Sequence, residues 1–325
     1  MSSYTRLLRR TLLPVLALPA FAFAADPLTP QAPISIPNSK GGFDFLEVDA
    51  AQSRLLLDHT GNGTLDVIDV KAGKLLKQIP TGAAMGVAVD EKAGRYYVSV
   101  SKEKKMVIID SRTLEKTGEV ALPGPADGLV FASKHNRVFV THDDEKDLWS
   151  IDPVAKKIEA TVAIGAGPEY GIYDAAGDRI FLNIKTTDSL MVIDPATNKV
   201  TATWPTGDAK HPHGLAFDAK AGRLYVAGNN GKLAILSATD GKILGSVDTV
   251  TGVDQIALDA GNGRIYCPSG SGSMTVVQTS ADGAKALGNV TTAKGAKTVA
   301  VDPATHAVWI AYAEGSGCFA RKFTP

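Results

Sequence analysis

Six polar residues in the middle of the chain, Asp127, His142, Glu169, Tyr170, His211 and His213, are of types that move protons, ligate metals or grip charged ligands. Carboxylates and imidazoles held together supply the oxygen and nitrogen donors that suit zinc or another divalent ion. The same pairing suits acid–base chemistry when burial tunes the groups. These residues are far apart in sequence, so only a fold that returns repeatedly to one place can assemble them. Three of them show how. Asp127, Tyr170 and His213 each stand immediately before a short apolar run, and Asp44, Met85, Asp254 and Lys297 do the same at nearly constant intervals.

The interval belongs to a repeat that runs along the whole chain. Its unit reads apolar-x-apolar-Asp, four spacers, Arg, then an apolar strand containing Tyr or Phe. The Asp position falls at Asp49, Asp90, Ala132, Asp174, Asp218, Asp259 and Asp302, and five residues after each comes Arg54, Arg95, Arg137, Arg179, Arg223, Arg264 and, as the exception, Ala307. Seven units of this length without helical periodicity predict an all-β, seven-bladed β-propeller. Within one unit, apolar runs and turn residues alternate to give four strands per blade. The seventh unit stops after its third strand, near Cys318 to Phe323. The segment around Ile34 to Ile36 resembles an outer strand, so the N-terminal strand is expected to complete the last blade and remove an unpaired edge. The repeating Arg is read as structural, bonding turn carbonyls or the Asp of its own unit.

On this reading the residues before each inner strand ring one mouth of the central channel. Lys297 falls between Asp254 and Asp44 and can pair with both. On the other arc Asp127, Glu169, Tyr170, His211 and His213 converge with only Lys210 as a cation in the same loops. The loop after the second strand adds His142. The ligand-binding candidates are therefore Asp127, His142, Glu169, Tyr170, His211 and His213, and the metal candidates are Asp127, Glu169, His211 and His213. The sequence requires no cofactor, although this donor set would accept a divalent metal. No zinc-protease helix, Cys-x-x-Cys pair, dinucleotide loop or nucleophile elbow is present. Cys267 and Cys318 fall at apolar positions of neighbouring blades, where either a disulfide or two buried thiols would fit.

Residues 1–24 read as a secretory signal peptide: Arg6, Arg9 and Arg10 precede an apolar run that ends at Ala22-Phe23-Ala24. Residues 25–325 are then one propeller domain, periplasmic or secreted, without a membrane span and monomeric. The chain has 34 basic and 34 acidic side chains, and removing the signal leaves an excess of three acids. That balance argues against general nucleic-acid binding.

The units, among them Arg95-Tyr96-Tyr97-Val98, Arg137-Val138-Phe139-Val140, Arg223-Leu224-Tyr225-Val226 and Val192-Ile193-Asp194-Pro195-Ala196-Thr197, resemble the YVTN-repeat, YncE-like family of bacterial propellers. The resemblance covers nearly all of residues 25–325 and implies the fold, but it brings no catalytic motif. It leads to the expectation of an exported, non-enzymatic binding or scaffold protein for a partner protein or small ligand. Two alternatives stand beside it. One is a metal-dependent hydrolase, lactonase or lyase using the Asp127–Glu169–His213 arc, and the other is an accessory to a quinone-dependent dehydrogenase.

Overall fold

The computed structural model describes residues 27–143 and 146–325; the signal-peptide expectation lies outside the described residues. Every element among them is a strand, and the strands form seven antiparallel blades around one axis. The first blade shows the order from axis to rim: Leu46–Asp49, Arg54–His59, Thr64–Asp69 and Lys74–Pro80. Among the described residues, no helix is long and apolar enough to cross a membrane.

Side-chain alternation explains the layering. Middle strands are buried on both faces, as in Arg95–Val100, where all five residues after the arginine are buried. Outer strands alternate between solvent and neighbour, as Lys157–Ala163 does. The core lies between blades rather than inside any one of them. Val130 and Phe139 of the third blade, for example, pack with Ile180, Leu182 and Met191 of the fourth. Fully burying one such side chain is worth roughly 1.5–3 kcal/mol, so each blade is stable chiefly because of its neighbours.

The ring closes as the sequence predicts. Ile34, Ser35 and Ile36 pair with Ala320, Phe319 and Cys318, and Thr29–Pro30 continue along the same strand opposite Thr324 and Phe323. Leu28 and Ile36 bury their side chains there. Cys267 and Cys318 are both buried and unbridged, in separate core clusters.

At the turn between first and second strands the unit's Asp accepts backbone N–H groups. Asp49 takes that of Gln52, Asp90 that of Ala93 and Asp174 that of Gly177. The repeat arginines tie these turns together. Arg179 pairs with Asp174 at 3.0 Å, Arg54 donates to the Ser111 carbonyl of the next blade, and Arg223 donates to the Ser280 carbonyl of the next at 2.6 Å.

Candidate functional site

The mouth at the other end of the channel is built by a defect in the ladder. As four inner strands enter the sheet, their pairing with the second strand slips between Ala84 and Gly86, Ala126 and Leu129, Pro168 and Gly171, and Pro212 and Gly214. A bulge frees the extra residue from the ladder and re-aims its side chain. The residues released are Met85, Asp127, Glu169 with Tyr170, and His213. Glycine follows because neighbouring inner strands crowd at that level. A Cβ on Gly86 would lie 3.3 Å from the Cα of Gly128, and one on Gly214 would lie 2.9 Å from Ile256.

Glu169, Asp127 and Asp44 are 6%, 7% and 8% exposed, which is unusual for carboxylates. Glu169 is held by Lys185 at 2.9 Å, and the Nε2 of His213 lies 3.9 Å away. His213 Nδ1 is 2.9 Å from the carbonyl of His211, so that nitrogen carries the proton and Nε2 is left facing the carboxylate. Lys297 bridges Asp254 at 2.7 Å and Asp44 at 3.3 Å. The two arcs meet, because donor atoms of Glu169, His213 and Asp254 lie within 4.8 Å of one another.

Electrostatics follow from this burial. Desolvation raises the pKa of Asp127 well above the carboxylate range, and the charges of Glu169, Asp44 and Asp143 push the same way while Lys185 opposes. Glu169 is also raised by burial, but His213 and Lys185 counter the shift. Asp44 is pushed up to about 6, again mainly by burial, with Lys297 opposing. Burial alone would lower Lys297, yet Asp254 and Asp44 outweigh it and hold its ammonium firmly charged. Burial thus drives Asp127 well toward its protonated form, while His213 and Lys185 favour the ionised form of Glu169.

The other sequence candidates stand elsewhere. Tyr170 points down the channel and stacks on Phe45 with ring centroids 4.9 Å apart. His142 binds Asp147 at 2.8 Å and packs against Trp149. His211, in a left-handed conformation, stays beside the site, its ring tilted against that of His213 with centroids 4.9 Å apart. His59, which ends the second strand of the first blade as His142 does in the third, is buried against Phe43 and bound to Asp66. Sequence reasoning missed Lys185, the cation that serves Glu169. The lysine it did name, Lys210, instead approaches Asp188 at 3.5 Å. The missed signal was positional, since Lys185 occupies the same place after its second strand as Asp143 does in the preceding blade.

Glu169, His213 and Asp254 could hold a divalent metal. Lys185 and Lys297 already supply positive charge to two of these three groups, so an ion would have to displace them.

Among solved structures, a chain from Kuenenia stuttgartiensis hydrazine synthase is similar, with TM-score 0.72 and 13% identity over 85% of this chain and 96% of that one. A chain of the mitotic checkpoint complex is similar as well, with TM-score 0.78 and 13% identity over 98% of this chain and 100% of that one. At such identity the likeness concerns the fold alone. The search of curated proteins finds no significant match. The expectation of a non-enzymatic binding or scaffold protein is overturned by the family comparison, which matches an enzyme family; the repeat had concealed this because it encodes architecture and carries no catalytic motif. The match to the glutamine cyclotransferase model spans residues 55–235, more than half of the chain and the segment that supplies Asp127, Glu169, Lys185 and His213, so the chain belongs to the glutamine cyclotransferase family.

Proposed function

We propose that the channel mouth cyclises an N-terminal glutaminyl residue of a peptide and releases ammonia. The observation that carries the reading, beside the family match, is the burial of Asp127 and Glu169 at one mouth, where desolvation drives Asp127 well toward its protonated form while His213 and Lys185 favour ionised Glu169. Two carboxyls driven apart in this way provide an acid and a base at one pH.

The chemistry needs both. Glu169 takes one proton from the substrate's α-ammonium. The freed amine adds to the side-chain amide carbon, forming the ring N–C bond and placing negative charge on the oxygen. Lys297, whose ammonium remains charged at the mouth, stabilises that oxyanion. Protonated Asp127 gives its proton to the amide nitrogen, the C–N bond breaks and ammonia leaves. The second proton of the ring nitrogen restores Asp127, and the proton on Glu169 passes to solvent. No redox partner or external nucleophile is consumed.

Two further readings accompany this one. The Arg-Tyr-Tyr-Val type repeats support kinship with YVTN-repeat propellers within the shared architecture. Export to the periplasm or beyond is supported by the basic, apolar and small-residue order of residues 6–24, and would expose the enzyme to free peptide N-termini.

The test is to incubate purified protein with a short peptide beginning in glutamine and follow ammonia loss by mass spectrometry. Cyclisation well above the spontaneous rate, lost in Glu169→Gln, is expected. A rate equal to that of buffer would overturn the reading.

A further inference from the structure

A second cavity opens on the same face, at the junction of the sixth and seventh blades, with a volume of about 580 Å³. Its wall includes Ser271, Thr292, Lys294, Tyr312 and Arg321, with Glu314 at the edge. What distinguishes it is an excess of hydrogen-bond donors without acceptors. The Nε of Arg321 is buried and has no hydrogen-bond partner. The guanidinium is instead held over the Tyr312 ring, 5.5 Å from its centroid. Thr292 is 8% exposed, and its Oγ1 is likewise unpartnered. Ser271 accepts the hydroxyl proton of Ser269 at 3.0 Å, which leaves its own proton to donate. Lys294 is exposed at the rim.

The cavity wall thus gathers a guanidinium, a lysine and the free hydroxyl proton of Ser271, a donor set that calls for an acceptor. From this geometry we infer a binding site for an oxyanion, a phosphate or a carboxylate, gripped by Arg321 and Ser271 and attracted by Lys294. A guanidinium fixed in one plane by an aromatic face is preorganised for two-oxygen recognition. The site is separate from the catalytic proposal and stands without it. It lies just behind the mouth, since a Cβ on Gly270, beside Ser271, would sit 3.9 Å from the Cβ of Lys297 and from the Cα of Gly295. The anion could therefore be a free small molecule or an acidic side chain of a bound peptide.

Calorimetric titration of the full chain with inorganic phosphate, and separately with an N-acetylated, C-amidated peptide containing glutamate, distinguishes these sources. The blocked peptide cannot be cyclised, so the outcome does not depend on the catalytic reading. Tighter binding of the peptide assigns the site to a substrate side chain, and tighter binding of phosphate assigns it to a free anion. In either case Arg321→Met should weaken binding about tenfold and Lys294→Gln about threefold, while Glu314→Gln should strengthen it because a repelling charge is gone. Affinity should also fall with added salt. If Arg321→Met does not fold, the opposite signs of the Lys294 and Glu314 variants decide. Absence of binding by either probe, or equal affinity in wild type and all variants, would overturn the inference.

Discussion

The two ends of the channel use the same repeat in opposite ways. At the turn end almost every blade places the same Asp and Arg, and each is satisfied locally by backbone N–H groups, carbonyls or the other. At the mouth the equivalent positions hold Asp44, Met85, Asp127, Tyr170, His213, Asp254 and Lys297, no adjacent pair of which is alike. There the inner strands are bulged, the carboxylates are buried, and several pKa values are displaced. Repetition marks what holds each blade to the next, whereas departure from repetition marks where chemistry can be done.

The largest expected effect is at the mouth. Glu169→Gln removes the base but keeps the shape, and should lower the cyclisation rate by roughly 10²–10⁴-fold with an unchanged melting temperature. Retention of the rate would dissolve the contrast between the two ends, because the mouth would then be only a polar rim.

Asp127→Asn comes next. In the wild type Glu169 must be ionised, so the rate falls as pH drops below its raised pKa. Asp127 must be protonated, so the rate falls as pH rises above its own raised pKa. The profile is a bell. Asn at 127 should cut the rate about 10²-fold and abolish the alkaline limb, leaving the acid one. A variant that keeps both limbs would reassign the acid, with Asp44 as the nearest candidate.

At the turn end the prediction reverses. Arg223→Ala removes donors to the Ser280 and Ala281 carbonyls of the neighbouring blade. It should reduce stability by about 1.5 kcal/mol, seen in urea or thermal unfolding, with kcat/KM unchanged. A loss of activity at full stability would break the division between the ends.

The same contrast explains what could be read in the sequence. Blade number, strand order and the closing strand at Ile34–Ile36 were legible because they rest on period and apolar alternation, which the backbone must obey. Asp127, Glu169 and His213 stood out as candidates because they fall at or next to the position that leads each apolar inner run, which the structure makes the bulged start of the inner strand. His142 stands at the end of its second strand, next to the loop where the sequence reading put it, and Asp147 and Trp149 hold it there. Lys185 was missed although its place, directly after a second strand, puts it on the face of the mouth. The bulges that aim Glu169 and Asp127 leave no sequence mark beyond Gly128 and Gly171.

The smallest effect tests the wall between the two ends. Asp58 is fully buried, and both of its carboxylate oxygens lack a hydrogen-bond partner. It occupies the fifth place of its second strand, where Ser99 and Asn183 donate to the carbonyls of Asp127 and His213 in the following blades. Only a protonated Asp58 can imitate them, and the corresponding carbonyl is that of Met85. Burial, then the charges of Asp44 and Glu47, raises its pKa well above the ordinary 3.8. The stability that depends on the neutral carboxyl is thus fully present below the unfolded pKa and is lost as pH rises through the folded one. Asn at this position donates at any pH. Asp58→Asn should therefore match the wild type near pH 4 and become more stable by about 1 kcal/mol toward neutrality. Thermal unfolding of both proteins across this pH range measures the difference directly. A variant less stable than wild type at neutral pH would mean that Asp58 is ionised and held by a cation, and that the channel wall carries charge along its length instead of confining it to the mouth.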